Sequence, residues 1–93
     1  MNNEQKIQIK ATDDKLKGVY SNLMQVSHTK EEFILDFFLV FPPSGVLNSR
    51  IIMNPGHLKR VIKALQENMN KYEEKFGEIK EAQSPETKIG FST

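Results

Sequence analysis

The sequence predicts an α+β fold, in which an antiparallel β-sheet of three to four strands packs with one long C-terminal α-helix. In the predicted strand at 32–41, residues 33–41 place apolar side chains at both alternating sets of positions, interrupted only by Asp36, so this strand is apolar on both faces. The pair Asn54-Pro55 precedes apolar residues spaced four and three apart, the pattern of an amphipathic helix. One helix covers one face of a small sheet, so the second face predicts association.

Four segments are predicted as strands. Ile7 and Ile9 alternate with polar residues in a short edge strand, which a polar linker follows. The other strands are residues 19–28, 32–41 and 46–53, joined by a hairpin at 29–31 and a proline-glycine break at 42–45. The predicted organisation is an edge strand and linker at 1–17, a single β-β-β-α domain at 18–80 and a flexible tail at 81–93.

The helix is predicted from Pro55 to about Gly77, a suitable C-terminal cap. Its apolar face is a heptad stripe of Leu58, Ile62, Leu65, Met69, Tyr72 and Phe76. The stripe either packs across the domain's own sheet or pairs with the helix of a second subunit. Both arrangements occur together if the end of the helix extends beyond the sheet. We predict a homodimer, with a candidate association surface formed by Ile34, Phe38, Val40, Met69, Tyr72 and Phe76.

Composition narrows the function classes. A formal net charge of +1 argues against the broad basic surface of a non-specific nucleic-acid binder. The sequence has no cysteine, which removes disulfides, thiol catalysis and thiolate metal sites. Neither a signal-peptide pattern nor a membrane-spanning run is present, so we expect a soluble cytoplasmic protein without membrane partners.

No residue pattern predicts catalysis, a cofactor or a metal. His28 and His57 lack metal-ligand spacing, Ser27 and Ser49 lack a nucleophile-elbow context, and there is no glycine-rich phosphate loop. Asp36 is ambiguous, because it either pairs with Arg50 on the following strand or stays hydrated on an open face.

Basic residues crowd the predicted start of the helix and acidic residues its end, the reverse of what the helix macrodipole favours. The candidate anion or partner site consists of Arg50, His57, Lys59, Arg60 and Lys63. The alternative is a solvated surface with local pairing, since Lys63, Glu67 and Lys71 are spaced four apart.

The order of these motifs resembles the bacterial family called domain of unknown function 3467. The resemblance covers about residues 18–79 and rests on 18–28, 31–37, 49–53, on Pro55, His57, Lys59 and Arg60, and on 64–68 and 71–77. It implies a compact strand-rich domain with one long helix and no agreed activity. Family members in some bacteria are associated with genes for the large RNA polymerase subunits, which implies RNA polymerase as a partner. Residues 1–17 and 80–93 lack an identified counterpart in the family.

We therefore predict a non-catalytic, homodimeric protein-interaction module, an accessory protein associated with RNA polymerase. The alternative is a nucleic-acid-binding protein that uses the basic start of the helix. The two differ in salt dependence, because nucleic-acid affinity falls steeply with salt and an apolar interface does not weaken in that way. No aromatic residues are interleaved with the basic cluster to stack on bases.

Overall fold

The computed structural model describes residues 4–85 and 88–91 and contains a three-stranded antiparallel sheet followed by a long helix. The elements are, in chain order, α1 (Asp13–Lys17), β1 (Leu23–His28), β2 (Phe33–Phe41), β3 (Ser44–Met53) and α2 (Pro55–Phe76). The strands lie in the order β1-β2-β3, so the strand that is apolar on both sides is the central one. The predicted α+β class is confirmed.

Local hydrogen bonds explain why the chain turns where it does. The Thr29 hydroxyl accepts from the backbone N–H groups of Glu31 and Glu32, each at 3.2 Å, and closes the turn between β1 and β2. Asn22 lies just before β1, where its side chain both donates to the Val40 carbonyl and accepts from the Val40 N–H, each at 2.9 Å. The Asn22 amide therefore imitates a strand pair and extends the hydrogen bonding along β2.

Cross-strand pairing defines two faces of the sheet. On one, here called the covered face, Ile34, Phe38 and Val40 of β2 share their side with Asp36. A bulge in β3 at Asn48 brings Leu47 opposite Phe38. Phe38 and Val40 are only 3% and 6% exposed. The other, here called the open face, has exposed apolar side chains from all three strands, namely Met24, Val26, Phe41, Val46 and Ile51.

Helix α2 begins and ends where the sequence predicts. The Asn54 side chain accepts from the His57 N–H at 2.7 Å, and Pro55 takes the first helical position. At the other end Gly77 adopts φ 94°, and its N–H donates to the Glu73 carbonyl at 2.9 Å. A side chain at residue 77 would be strained at this φ, so glycine suits the end of the helix.

The apolar stripe of α2 does not lie on the domain's own sheet. Leu58 and Val61 near the start of the helix are half-buried, but the rest of the stripe is exposed, with Ile62, Leu65, Met69, Tyr72 and Phe76 between 47% and 65% accessible. The radius of gyration is 16.9 Å, against about 12 Å for a compact chain of this length. Of the two arrangements open to the stripe, packing along its length across the chain's own sheet does not hold in this structure.

The structure corrects two predictions outside the central domain. Residues 4–12 form no strand, and Ile7 and Ile9 are 80% and 81% exposed, so the predicted edge strand at 6–10 is wrong. Two alternating apolar side chains bury too little surface to offset the ordering of the backbone. Asp13–Lys17, predicted as part of a polar linker, is the short helix α1.

In the C-terminal segment, which we predicted to be a flexible tail, the Phe91 ring lies on Phe38 of the covered face, with centroids 5.8 Å apart. Ile89 is half-buried in the same segment. Residues 86, 87, 92 and 93 of the predicted tail lie outside the described residues.

Candidate interaction surfaces

Asp36 forms a bidentate ion pair with Arg50 on the covered face. Arg50 directly opposes it in the register of β2 and β3, and donates from Nε to Oδ1 at 2.6 Å and from Nη2 to Oδ2 at 2.8 Å. The carboxylate side chain is 12% exposed and that of Arg50 is 50% exposed. The hydrogen bonds from Arg50 lower the pKa of Asp36, burial opposes them, and the guanidinium charge adds to the lowering. Of the two states left open for Asp36, the structure shows the paired one.

This pairing changes the role of Arg50 in the predicted anion site. Its guanidinium donates two hydrogen bonds to Asp36 and also lies 6.0 Å from the centre of the Phe91 ring. Hydrogen bonding to Asp36 and the aspartate charge raise the pKa of Arg50 further above its ordinary value. Arg50 is therefore engaged within the sheet, whereas the other four basic candidates lie on α2.

The basic start of α2 is exposed to solvent. His57, Lys59, Arg60 and Lys63 are all exposed, and Arg60 Nη2 lies 3.2 Å from His57 Nδ1. The first-turn N–H of His57 is taken by the Asn54 cap. These four side chains remain a candidate binding surface, but one of the amide groups that an anion at the helix start would use is already occupied.

The largest exposed apolar feature of α2 is the distal stripe, defined here as Ile62, Leu65, Met69, Tyr72 and Phe76. It extends for about 21 Å along the helix, at 1.5 Å per residue. The Tyr72 and Phe76 rings contact one another with centroids 4.9 Å apart, and the Lys75 ammonium lies 5.2 Å from the Phe76 ring centre. The predicted association residues of α2 therefore lie on one continuous accessible surface.

The predicted association residues of the sheet lie on the covered face. Ile34 is half-buried, and Phe38 and Val40 are buried, with the Phe91 ring against Phe38. Association through these three residues stays a prediction that requires displacement of the Phe91 segment. The open face, which sequence reasoning did not name as a site, carries more of the exposed apolar residues, although Leu47 and Ile52 of the covered face are also exposed and Leu35 of the open face is buried. Sequence alone did not identify the open face, because the pairing of Val26 and Ile51 with Leu35 appears only in the register of the strands.

The exposed surface is too large for an isolated globular chain. The accessible surface is 9088 Å², whereas a compact monomer of 10.7 kDa exposes about 5500 Å². The excess is larger than the roughly 1000 to 2500 Å² per subunit that an obligate dimer buries. The extended N-terminal residues contribute to this excess, since Ile7, Ile9 and Leu16 are highly exposed, and the distal stripe and the open face contribute further apolar surface.

Two further features bear on the kind of site. Within residues 4–85 and 88–91, no helix is long and apolar enough to cross a bilayer. In the same described part of the chain, no three histidine or carboxylate side chains cluster as ligands for a metal ion.

Comparison with known proteins gives a family without an assigned role. A family model described as "Protein of unknown function (DUF3467)" matches residues 1–81. No curated protein and no solved structure matches the chain. The family match includes residues 1–17, so the expectation that this segment has no counterpart in the family is wrong.

Proposed function

This chain belongs to the DUF3467 family of proteins of unknown function, and we propose that it acts as a non-catalytic, homodimeric protein-interaction module. The observation that carries the proposal is the simultaneous exposure of the distal stripe and the open face on a chain of only 93 residues. Monomeric soluble proteins rarely expose contiguous apolar surface of this extent unless a partner covers it.

The distal stripe supports the homodimeric part of the proposal. Its residues keep heptad spacing over 14 positions, which suits the regular packing of one helix against another. Burying a large apolar side chain that is half exposed contributes about 1 kcal/mol, so five such residues on each of two helices favour association by about 10 kcal/mol before the cost of ordering. That gross free energy is of the size needed to hold two helices together.

A sedimentation experiment tests the dimer. We expect the chain to sediment as a dimer between 1 and 100 μM, and the double substitution Leu65→Gln with Met69→Gln to produce a monomer, because it removes the centre of the stripe. The matched control is Glu67→Gln with Glu74→Gln, which introduces the same side chain on the opposite side of α2 and should leave the dimer intact. A wild-type chain that is monomeric at 100 μM contradicts the proposal.

The open face supports a second, protein-binding role. It stays available if α2 provides the contact between subunits, and its side chains come from all three strands. From the family resemblance alone, we propose RNA polymerase as the partner to test first, which makes the module a transcription accessory protein. Apolar docking on a sheet face predicts binding that survives moderate salt.

Nucleic-acid binding is the second candidate, and the exposed cluster of Lys59, Arg60 and Lys63 favours it. We would isolate the tagged chain from its host and identify what accompanies it at 0.1 and 0.5 M salt. RNA polymerase retained at 0.5 M salt, and lost with Val26→Asn and Ile51→Asn, supports the leading proposal. Nucleic acid that is lost at 0.5 M salt, and absent with Lys59→Gln and Lys63→Gln, supports the alternative instead.

A further inference from the structure

The geometry and charges of α2 point to a specific partner for the distal stripe: we infer that two copies of α2 pair antiparallel, about a two-fold axis level with Glu67. This inference rests on the proposed homodimer and adds its geometry. It is carried by two patterns on α2: the positions of the stripe residues set the level of the axis, and the positions of the charges beside them set the direction.

In an antiparallel pair the stripe residues form matched layers that join different residues, whereas a parallel pair would stack each residue on its own copy. An axis at position 67 puts Leu65 level with Met69 of the second copy, because the two positions average to 67. The same axis pairs Ile62 with Tyr72, and Leu58 with Phe76. Each layer thus joins an aliphatic residue near the start of one helix to a larger residue near the end of the other, which suits interdigitation.

The charges beside the stripe carry the second argument. Lys59, Gln66 and Glu73 follow the stripe positions Leu58, Leu65 and Tyr72 by one residue, so they line one flank of the stripe at intervals of seven. A two-fold axis across the helices brings this flank against its own copy in reverse order. Lys59 then lies near Glu73 of the second copy, Glu73 near the second Lys59, and the two Gln66 side chains near one another. These flank pairs average to position 66, so each is about 3 Å from level with the axis at 67, which long side chains can span.

A parallel pair does not give this complementarity. It would place the basic starts of both helices side by side and do the same with the acidic ends, so like charges would repel at both ends. It would also align the two helix dipoles in the same direction. The antiparallel pair instead brings Glu73 of one copy beside the basic residues near the start of the other helix. The charge order that is unfavourable within one helix thus becomes favourable between two.

The arrangement also brings the aromatic end of the stripe to the sheet. Helix α2 begins directly after β3, so its start adjoins the sheet of its own chain. In an antiparallel pair this start lies beside Tyr72 and Phe76 of the second copy. Leu58 and Val61, which are half-buried in the single chain, then lie between the sheet of their own chain and the helix of the second copy.

Chemical crosslinking tests the direction of pairing, because the chain has no cysteine of its own. Two variants, Ile62→Cys and Tyr72→Cys, are made separately, one with a tag that changes its mass. Each is treated with a short bismaleimide that spans about 8 Å, first alone and then after the two are mixed. The two positions are about 15 Å apart along the helix axis, so the reagent distinguishes the two directions.

We expect a crosslinked dimer only in the mixture, as the tagged and untagged pair, because position 62 of one copy lies level with position 72 of the other. Crosslinking of each variant alone would show parallel helices and overturn the inference. Absence of crosslinks in samples that sediment as dimers would place the interface elsewhere, which overturns the inference and leaves the proposed dimer standing. A chain that sediments only as a monomer overturns both.

Exchanging the charges of Lys59 and Glu73 tests whether these two residues pair between the helices. We expect Lys59→Glu alone, and Glu73→Lys alone, each to weaken dimerisation by about tenfold, because two attractive contacts become repulsive. Combining both substitutions in one chain should restore affinity to within about threefold of wild type, since the pairs reform with opposite signs. Glu74→Lys is the matched control, with the same charge change one residue away on the far side of α2, and it should change affinity by less than about threefold. Failure of the double variant to recover contradicts the antiparallel flank.

Discussion

At the scale of single residues, the ion pair between Asp36 and Arg50 shows how this chain tolerates a charge on its central strand. A carboxylate at this position loses most of its hydration, since Asp36 is only 9% exposed. Arg50 compensates with two charge-assisted hydrogen bonds from a planar guanidinium, a geometry that a lysine cannot reproduce. The half-exposed guanidinium keeps contact with water, so only one of the two charges is strongly desolvated.

This pair predicts a specific pH dependence of stability. Because the folded chain lowers the pKa of Asp36 from its ordinary value of 3.8, the ionised carboxylate stabilises the fold above that pH, and the contribution is lost as the pH falls through the folded value. We expect Asp36→Asn to be less stable than wild type at pH 7, and the difference to shrink below about pH 3.8. Urea unfolding of both proteins between pH 7 and pH 2.5 measures it.

Glu74→Gln is the control for this measurement, because it also removes a carboxylate, but from an exposed position on α2. Its difference from wild type gives the background effect of deleting one negative charge. A stability difference between Asp36→Asn and wild type that is the same at pH 7 and pH 3 would contradict a role for the Asp36 carboxylate in stabilising the fold.

At the scale of elements, α2 is specified by interactions within and next to the helix, because it makes few contacts with the sheet. Most of its length gains nothing from the sheet, so its ends must be fixed by the Asn54 cap, by Pro55 and by Gly77. A 22-residue helix is long enough for such local terms to maintain it, while tertiary packing decides shorter helices. The same local character explains why both ends of α2 could be predicted from sequence.

We expect Asn54→Ala to destabilise the protein by about 1 kcal/mol, because the His57 N–H loses its side-chain acceptor. Asn54→Asp should stay within about 0.5 kcal/mol of wild type, since aspartate supplies the same acceptor and its negative charge suits the helix start. Urea unfolding followed by circular dichroism, at one fixed protein concentration, measures both. Equal stability of the alanine and aspartate variants would show that the cap does not contribute.

Other elements could not be predicted as well, for physical reasons that differ between them. Ile7 and Ile9 have the alternation of a strand, but a strand exists only where a neighbour completes its hydrogen bonds, and none is specified locally. The contact of Phe91 with Phe38 also joins residues far apart in sequence. The apolar residues Ile89 and Phe91, spaced two apart, were the available signal that this segment meets a surface. The pairing of Asp36 with Arg50 was foreseeable as one of two options, and the register decided between them.

At the scale of the whole molecule, the sequence predicts which surfaces are apolar but not which of them the chain covers itself. The heptad stripe was readable at once, whereas its exposure depends on the direction in which α2 leaves β3. The same holds for the sheet, where the covered face is the one that we expected to be available for association. The extended shape, 58 Å in its longest dimension, reflects the exposed residues 4–12 as well as a helix whose stripe does not pack on the sheet.

This shape predicts that folding and association are coupled. If the distal stripe is covered only in the dimer, the dimer is the species that heat must unfold, and mass action makes its melting temperature depend on concentration. A hundredfold increase in chain concentration stabilises the dimer by about 2.7 kcal/mol, which for the unfolding of two chains of this size corresponds to a rise in Tm of about 7 °C. Calorimetry or circular dichroism at 5 and 500 μM measures it.

The variant with Leu65→Gln and Met69→Gln distinguishes the coupling of folding to dimerisation from other effects of protein concentration on Tm. Because it lacks the centre of the stripe, it should melt at the same temperature at 5 and 500 μM, and below the wild type at both. The Glu67→Gln with Glu74→Gln variant should retain the concentration dependence. A wild-type Tm that does not change over this range, in a chain that sediments as a dimer at 500 μM, would mean that the dimer dissociates before its subunits unfold and that folding and association are not coupled.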